Sequence, residues 1–440
     1  MAKATLYQCP NCGGIASFDV ESGRVTCAHC GHVFDAPDAL GSIPVGGNVQ
    51  GAAAPSHVRT VEEFLSRAPW EPVDEEAVNA ITYSCPACAA RIVADQSIVA
   101  TACPFCGNNL LLQGLASAQS VPQEALPFSL TKDQAQDRLQ EHFRGKWYLP
   151  RSFSAEVVHV QGVYVPYYLY DLRAWGKATY VVREGRDDPY RYRLAGRTGH
   201  AAFVRIPVDG SSRMPDAHMD AIAPFDLDDA RPFSAGFAAG FVMELPDESA
   251  ADCEARAEAR VRHTFETHLA YNVTQGRMDR HIEKTLEQET NARAKAVRTC
   301  VLPVWLMHCT WEGEHMLFAV NGTTGKCVGD LPVDKRRRVM TIAGIVVATI
   351  AAVVLVFLVA NTGDADSDTL EIRLRFACGI LVAGILAVIY VDQRHMSAMH
   401  TAKEEISARD QYDDEGLVLT ESWQDDESYS SVSRCLQQRH

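Results

Sequence analysis

Eight of the fourteen cysteines fall into two blocks of identical spacing. Cys9-x2-Cys12-x14-Cys27-x2-Cys30 opens the chain, and Cys85-x2-Cys88-x14-Cys103-x2-Cys106 repeats it. A two-residue gap lets both thiolates of one knuckle reach the same ion, and the longer return is a short hairpin that brings the second knuckle back. Four sulfurs at about 2.3 Å close a tetrahedral Zn2+ shell and leave no position for water. The pattern therefore predicts two structural zinc ribbons and no catalytic metal. Cys-Pro-x-Cys-Gly occurs at Cys9–Gly13 and at Cys103–Gly107, and Gly31 follows Cys30. Glycine at that place permits positive φ as the backbone wraps the metal; Ala89 breaks the pattern in one knuckle. His29 and His32 flank a shell that four cysteines already complete, so both are expected to be exposed. A thioredoxin-like pair needs a βαβ context, and iron–sulfur sites use other spacings.

The elements that must position these cysteines follow from composition and pattern. Ribbon one is expected over residues 1–35 and ribbon two over 80–114. Between them an Ala-, Gly-, Pro- and Ser-rich stretch, 36–60, reads as a flexible linker. Thr60-x-x-Glu63 is a capping box that opens a short helical segment over 61–79. Such small units lack a sizeable core, and metal binding supplies on the order of 10 kcal/mol to fold them. Cys253, Cys300, Cys309, Cys327, Cys378 and Cys435 share no ligand spacing and read as reduced, structural cysteines. Met1–Tyr7 carries no charged segment leading into an apolar one, so no secretory signal is expected. Intact thiolates imply a reducing compartment, which places the ribbons in a cytoplasm.

Near the other end, Val339–Ala360 runs 22 residues without a charge. That is about 33 Å of helix, enough to cross a hydrocarbon core. Phe376–Val391 is shorter and spans with help from Leu374 and a snorkelling Arg375. Together, 339–391 is expected to be a two-helix transmembrane hairpin. Asn361–Glu371 carries Asp364, Asp366, Asp368 and Glu371, while Lys335-Arg336-Arg337-Arg338 precedes the first helix. The positive-inside rule puts that basic run in the cytoplasm and both termini with it. Gly344, Ala348 and Ala352 recur at i+4, and Gly379 with Ala383 repeats the device, so these faces are expected to join the two helices. The tail, 396–440, is acidic and cytoplasmic, and Ala408–Glu427 reads as disordered. A docking peptide around Leu417, Val418, Leu419 and Trp423 is an alternative for part of it.

Residues 122–332 read as an α+β middle domain with mostly antiparallel strands. Thr131-x-x-Gln134 caps a helix through Leu139 and Phe143. Val163–Tyr170 is a strand interrupted by Pro166, hence an edge or bulged strand. Trp175-Gly176-Lys177 reads as a turn and Thr179–Val182 as the returning strand. Val301–Leu306, Trp311-Glu312-Gly313 and Met316–Val320 repeat that hairpin, and Pro246–Tyr271 between the two has helical spacing.

Composition narrows the function. Forty-one Lys and Arg against 56 Asp and Glu give a net charge of −15, and mean hydropathy is −0.11. An acidic chain repels phosphate backbones, and residues 1–35 offer only Lys3 and Arg24 against Asp19, Glu21 and Asp35. Gly322-Thr-Thr-Gly325-Lys326 lacks the four-residue gap and the hydroxyl of a phosphate loop and reads as a hairpin turn. Asp209, Asp216, Asp220, Asp226, Asp228 and Asp229 fit no regular cation loop and read as solvated loop acids. No nucleophile elbow, dinucleotide fingerprint or metalloprotease helix occurs in the sequence, so no catalytic residue is expected.

Gly145-Lys146-Trp147-Tyr148, Gly162–Pro166, Pro207-Val208-Asp209, Leu302–Trp305 and Phe318–Gly322, after the two ribbons, resemble a family of bacterial zinc-ribbon membrane proteins. Its members are commonly labelled TFIIB-type zinc ribbon-containing proteins, or similar to the primosomal replication-restart helicase. The resemblance runs from ribbon two to the hairpin and implies a non-enzymatic protein of the cell envelope. It also implies flotillin-like or phage-shock-type partners held at the membrane. No Walker A motif occurs, so the helicase label gains nothing from the residues. The expectation is a membrane-anchored, cytoplasm-facing adaptor with two Zn2+ sites. Nucleic-acid binding through the ribbons and a thiol- or zinc-based redox sensor are the alternatives.

Overall fold

The computed structural model describes residues 2–6, 8–35, 80–95, 98–103, 106, 108–112, 122–185, 191–275, 277, 279–360, 367–402 and 412–425. The expected linker, the helical segment opened by Thr60, and Cys435 lie outside the described residues. The fold is α+β, with two N-terminal four-cysteine clusters, a β-rich middle and two apolar helices near the end.

β1 (Ala2–Leu6) precedes the first cysteine block, which holds β2 (Ala16–Asp19), β3 (Arg24–Cys27) and β4 (Val33–Phe34) in a small antiparallel sheet. The second block holds β5 (Ala80–Ser84), β6 (Arg91–Asp95), β7 (Ile98–Ala102) and β8 (Asn109–Leu112). β1 pairs outside its own block, lying antiparallel to β8 and parallel to β5. The N-terminal strand thus completes the second ribbon.

Next come β9 (Glu124–Ala125) and α1 (Lys132–Phe143), whose capping box forms as expected: Thr131 Oγ1 accepts from Gln134 N, and Gln134 Oε1 accepts from Thr131 N. β10 (Glu156–Glu184) and β11 (Arg191–Asp209) are followed by α2 (Asp216–Ala221), β12 (Arg231–Pro232) and β13 (Val242–Glu244). After α3 (Ala250–Thr274) come β14 (Arg280–Trp311), β15 (Glu314–Asn321) and β16 (Cys327–Gly329). The ribbons are not free modules on this frame. β13 lies parallel to β10 and antiparallel to β7, so the main sheet continues into ribbon two. Ribbon one docks beside it: Phe18 N donates to Ala239 O at 2.9 Å, and its ring meets Phe237 edge-on at 5.6 Å.

β10 does not turn at Trp175-Gly176-Lys177. It is one continuous strand of 29 residues, about 95 Å of chain, antiparallel to β14 on one side and β11 on the other. The glycine serves close approach, because a Cβ on Gly176 would sit 2.3 Å from Glu289 O. Gly176 also faces Gly199 across the β10–β11 ladder. Pro166 is tolerated in an interior strand because it sits where the second edge of β10 passes from β13 at Tyr164 to β11 at Tyr167. Pro303 of β14 occupies the matching gap between β9 and β15. A missing N–H breaks no ladder in either place.

α3 covers one face of this arm. Cys253, Ala257, Val261, Phe265 and Leu269 recur every four residues and bury against Tyr170, Leu172, Ala174 and Phe203. Asp209, Asp216 and Asp220 are not solvated loop acids. Asp209 is fully buried and Arg256 of α3 meets it at 3.2 Å; the same arginine lies 3.0 Å from Asp216. Arg260, one turn on, pairs with buried Asp220. Burial pushes the Asp209 carboxyl well above the usual range. Asp226, Asp228 and Asp229 are exposed, and Asp228 pairs with Arg205 at 2.6 Å.

α4 (Lys335–Ala360) and α5 (Ser367–Met399) contain two spans, Lys335–Leu358 and Leu374–Met399, long and apolar enough to cross a membrane. They pack side by side through Thr349 against Gly384, where an added Cβ would lie 2.4 Å from Thr349 Oγ1. Two of the expected contact residues lie off the seam: nothing lies within 4 Å of a Cβ built on Gly344 or Gly379. Beyond the hairpin, β17 (Tyr412–Asp425) pairs antiparallel with β11, and Leu419 packs against the α3 cluster. Part of the expected disordered tail is therefore the outer strand of the arm.

Candidate metal centres and the membrane-proximal clamp

The knuckles bring together the eight cysteines that the spacing singles out. In each block all four ligand atoms lie within 4.8 Å of one another. Cys9 Sγ lies 3.8 Å from Cys30 Sγ, and Cys12 Sγ lies 3.5 Å from Cys27 Sγ. In the second block Cys85–Cys106 is 3.8 Å and Cys88–Cys103 is 3.9 Å. Tetrahedral bonds of about 2.3 Å place sulfurs about 3.8 Å apart, so both sets fit a four-thiolate ion such as Zn2+. Each block alternates buried and exposed sulfurs: Cys9, Cys27, Cys85 and Cys103 are buried, while Cys12, Cys30, Cys88 and Cys106 reach the surface.

Backbone amides point at the sulfurs, and the two thiols that close the sites are acidified. Asn11 N donates to Cys9 Sγ, Gly14 N to Cys12 Sγ and His29 N to Cys27 Sγ, each at 3.4 Å. The His32 amide lowers Cys30 to about 6. The Asn108 side chain, donating at 3.1 Å, does the same for Cys106, also to about 6. Gly13 adopts φ +71° and Gly31 +69°, as the wrap requires. Ala89 takes the same left-handed turn at φ 59° with a side chain in place of glycine. His29 and His32 are exposed and belong to neither ligand set; His32 stacks on Phe34 at 5.7 Å.

The other motifs settle into structural roles. Asn321 Oδ1 accepts from Thr323 N at 2.9 Å and from Thr324 N at 3.0 Å, so Gly322–Lys326 is a side-chain-capped turn. Cys253, Cys300 and Cys309 are buried, free thiols. Burial raises each to about 12.

A second constellation, between residues that the sequence does not mark as partners, ties the sheet to the hairpin. The Gly145–Tyr148 turn after α1 lies against the roots of both apolar helices. Lys146 Nζ donates to Ala398 O at 2.8 Å, and Trp147 Nε1 to Thr341 Oγ1 at 3.0 Å. Arg337 donates to the carbonyls of Trp147 and Leu149 at 3.1 and 3.0 Å, with its guanidinium over the indole at 5.8 Å. Arg338 grips Asp392 with two bonds of 2.8 and 2.7 Å, closing the hairpin at its base. Asp334 N donates to Tyr148 O at 2.8 Å, and Leu331 N to Met399 O at 2.9 Å. Half-exposed Trp147, with lysine and tyrosine beside it, is the composition that membrane–water interfaces favour. That composition was the signal in the sequence.

No family model matches the chain, and no solved structure matches it. The chain is similar to a Bacillus subtilis (strain 168) protein described as Uncharacterized protein YdjG. The two are 26% identical over 379 residues, 81% of this chain and 98% of that relative.

Proposed function

We propose that the protein is a non-catalytic, membrane-anchored scaffold whose two four-cysteine sites hold structural Zn2+ and which presents its ribbons and middle domain to protein partners at the inner face of a bacterial membrane. The observation that carries this reading is continuity. Metal knuckles, β7–β13 pairing, the main sheet and the Lys146–Tyr148 clamp form one connected path from the ribbons to the hairpin roots. A rigid platform at a bilayer is suited to holding partners in place, and closed four-sulfur shells leave no open metal position for chemistry.

A cytoplasmic orientation is supported by the thiolate sites and by the basic run at Lys335–Arg338. Pairing of β17 with β11 supports return of the chain to the side it left. The resemblance to TFIIB-type zinc-ribbon membrane proteins makes flotillin-like or phage-shock-type proteins the first partners to test. Isolation of the full chain from its native membrane in mild detergent is expected to bring a partner in fixed proportion. Recovery of the chain without any partner, in several mild detergents, contradicts the scaffold reading. Impermeant maleimide applied to intact cells is expected to label a cysteine introduced at Asp366 and to spare the ribbon thiols.

A second reading, a zinc-releasing redox sensor, is favoured by the surface position of Cys12, Cys30, Cys88 and Cys106. Retention of both metals under mild peroxide removes it.

A further inference from the structure

The longest edge of the main sheet is the first part of β14. Residues 280–298 pair with β10 on one side and, among the described residues, with no strand on the other. An edge of this length is a template for another strand. Charge and β-bulges are the usual means of keeping an edge from indiscriminate pairing, and β14 bulges at Leu286 and Lys295, which leaves Glu287–Ala294 as a regular run.

This edge carries an antisymmetric pattern. Around Asn291, Glu287 and Glu289 lie on one side and Arg293 and Lys295 on the other, at matching distances of four and two residues. All five side chains are exposed; Glu287, Glu289, Asn291 and Arg293 stand on the face away from α3, and Lys295 is the extra residue of a β-bulge against β10. The opposite face is marked by Thr290, which bonds Glu266 of α3, and by Ala292 and Ala294, packed on the α3 cluster. Between the two bulges, at Leu286 and Lys295, the sizes on that inner face are also antisymmetric: Gln288 and Thr290 precede Asn291, and Ala292 and Ala294 follow it.

We infer that β14 pairs antiparallel with β14 of a second copy of this chain, in the register that sets Asn291 opposite its own symmetry mate. In that register Glu289 faces Arg293 of the other copy, a pair that occurs twice by the twofold, and Glu287 comes toward the bulged Lys295. Thr290 and Gln288 then stand opposite Ala292 and Ala294, so each larger side chain meets a small one. Directly opposed unlike charges and size-matched pairs are the terms that select an antiparallel register. A two-residue slip sets Glu289 against Lys295 and leaves two of the four charges on each copy without their partners. The added strand also preserves alternation, since β14 is antiparallel to β10. An isologous pair of this kind is the commonest way for a chain to self-associate. Glu289 already touches Lys177 at 3.2 Å and would bridge it to the incoming arginine. This inference is independent of the scaffold reading.

The test uses the full chain in mild detergent at physiological salt, with mass photometry as the readout. Wild-type protein is expected to be dimeric. Glu287→Lys/Glu289→Lys and Arg293→Glu/Lys295→Glu are each expected to weaken the dimer by about thirtyfold or more, by setting like charges opposite each other. An equimolar mixture of the two variants is expected to recover a heterodimer, and combining all four changes in one chain to recover a homodimer. A monomeric wild type overturns the inference. So do double variants that dimerise as tightly as wild type, or a mixture and a fourfold variant that both stay monomeric.

Discussion

The ribbons and the α3-covered arm solve the same problem, a polar cluster inside a fold, with opposite chemistry. In the ribbons the cluster is sulfur, its members lie three residues apart within each knuckle, and a metal held there would supply the stabilisation that small cores lack. In the arm the cluster is Asp209, Asp216 and Asp220 against Arg256 and Arg260, drawn from three elements, with Asp209, Asp220 and Arg260 buried. Metal sites report themselves by spacing, whereas buried ion pairs depend on a tertiary frame that must already exist. The first kind contributes stability directly. The second holds α2 and α3 to the sheet, and its net contribution is small until one partner is removed.

Breaking the metal side should have the largest effect. Chelation, or Cys9→Ser with Cys85→Ser, is expected to remove on the order of 10 kcal/mol per site and to unfold residues 8–35 and 80–112. Hydrogen exchange should show loss of protection there, spreading to β13 through its pairing with β7. On the ion-pair side, Arg260→Met should cost about 3–5 kcal/mol by removing the guanidinium beside buried Asp220, measured by thermal unfolding. Adding Asp220→Leu should restore most of that loss.

Acid should sharpen the comparison further. Burial first, and then Lys146, lower His142 from 6.5 to about 4. The folded state therefore keeps this ring neutral while the unfolded chain binds a proton, so stability falls as pH drops from about 6.5 toward 4. His142→Gln is expected to remove on the order of 2 kcal/mol of that acid sensitivity, with the metal-linked part unchanged. The smallest effect should come from Ala89→Gly. Relief of a left-handed alanine, less the added chain entropy, is expected to stabilise ribbon two by about 0.5–1 kcal/mol.

What was legible in the sequence was local. Cysteine spacing, the Thr131 capping box, the stripe of α3 and the two apolar runs each depend on residues within a few turns of one another. The pairing partners were not legible. Trp175-Gly176-Lys177 has turn composition, yet Gly176 is there for the passage of β14, more than a hundred residues later. Pro166 looked like an edge because the exchange of β13 for β11 beside it is invisible along the chain. The same holds for β1, which completes a ribbon whose own cysteines begin at Cys85. Asp209 and Asp220 resembled solvated acids because the arginines that neutralise them sit on another element.

Elemental analysis of the full chain, purified without chelators, tests the account most directly. Two zinc atoms per chain are expected, falling to one in Cys9→Ser or in Cys103→Ser and to none when the changes are combined. Iron in place of zinc, or less than one metal per chain in the intact protein, would contradict it.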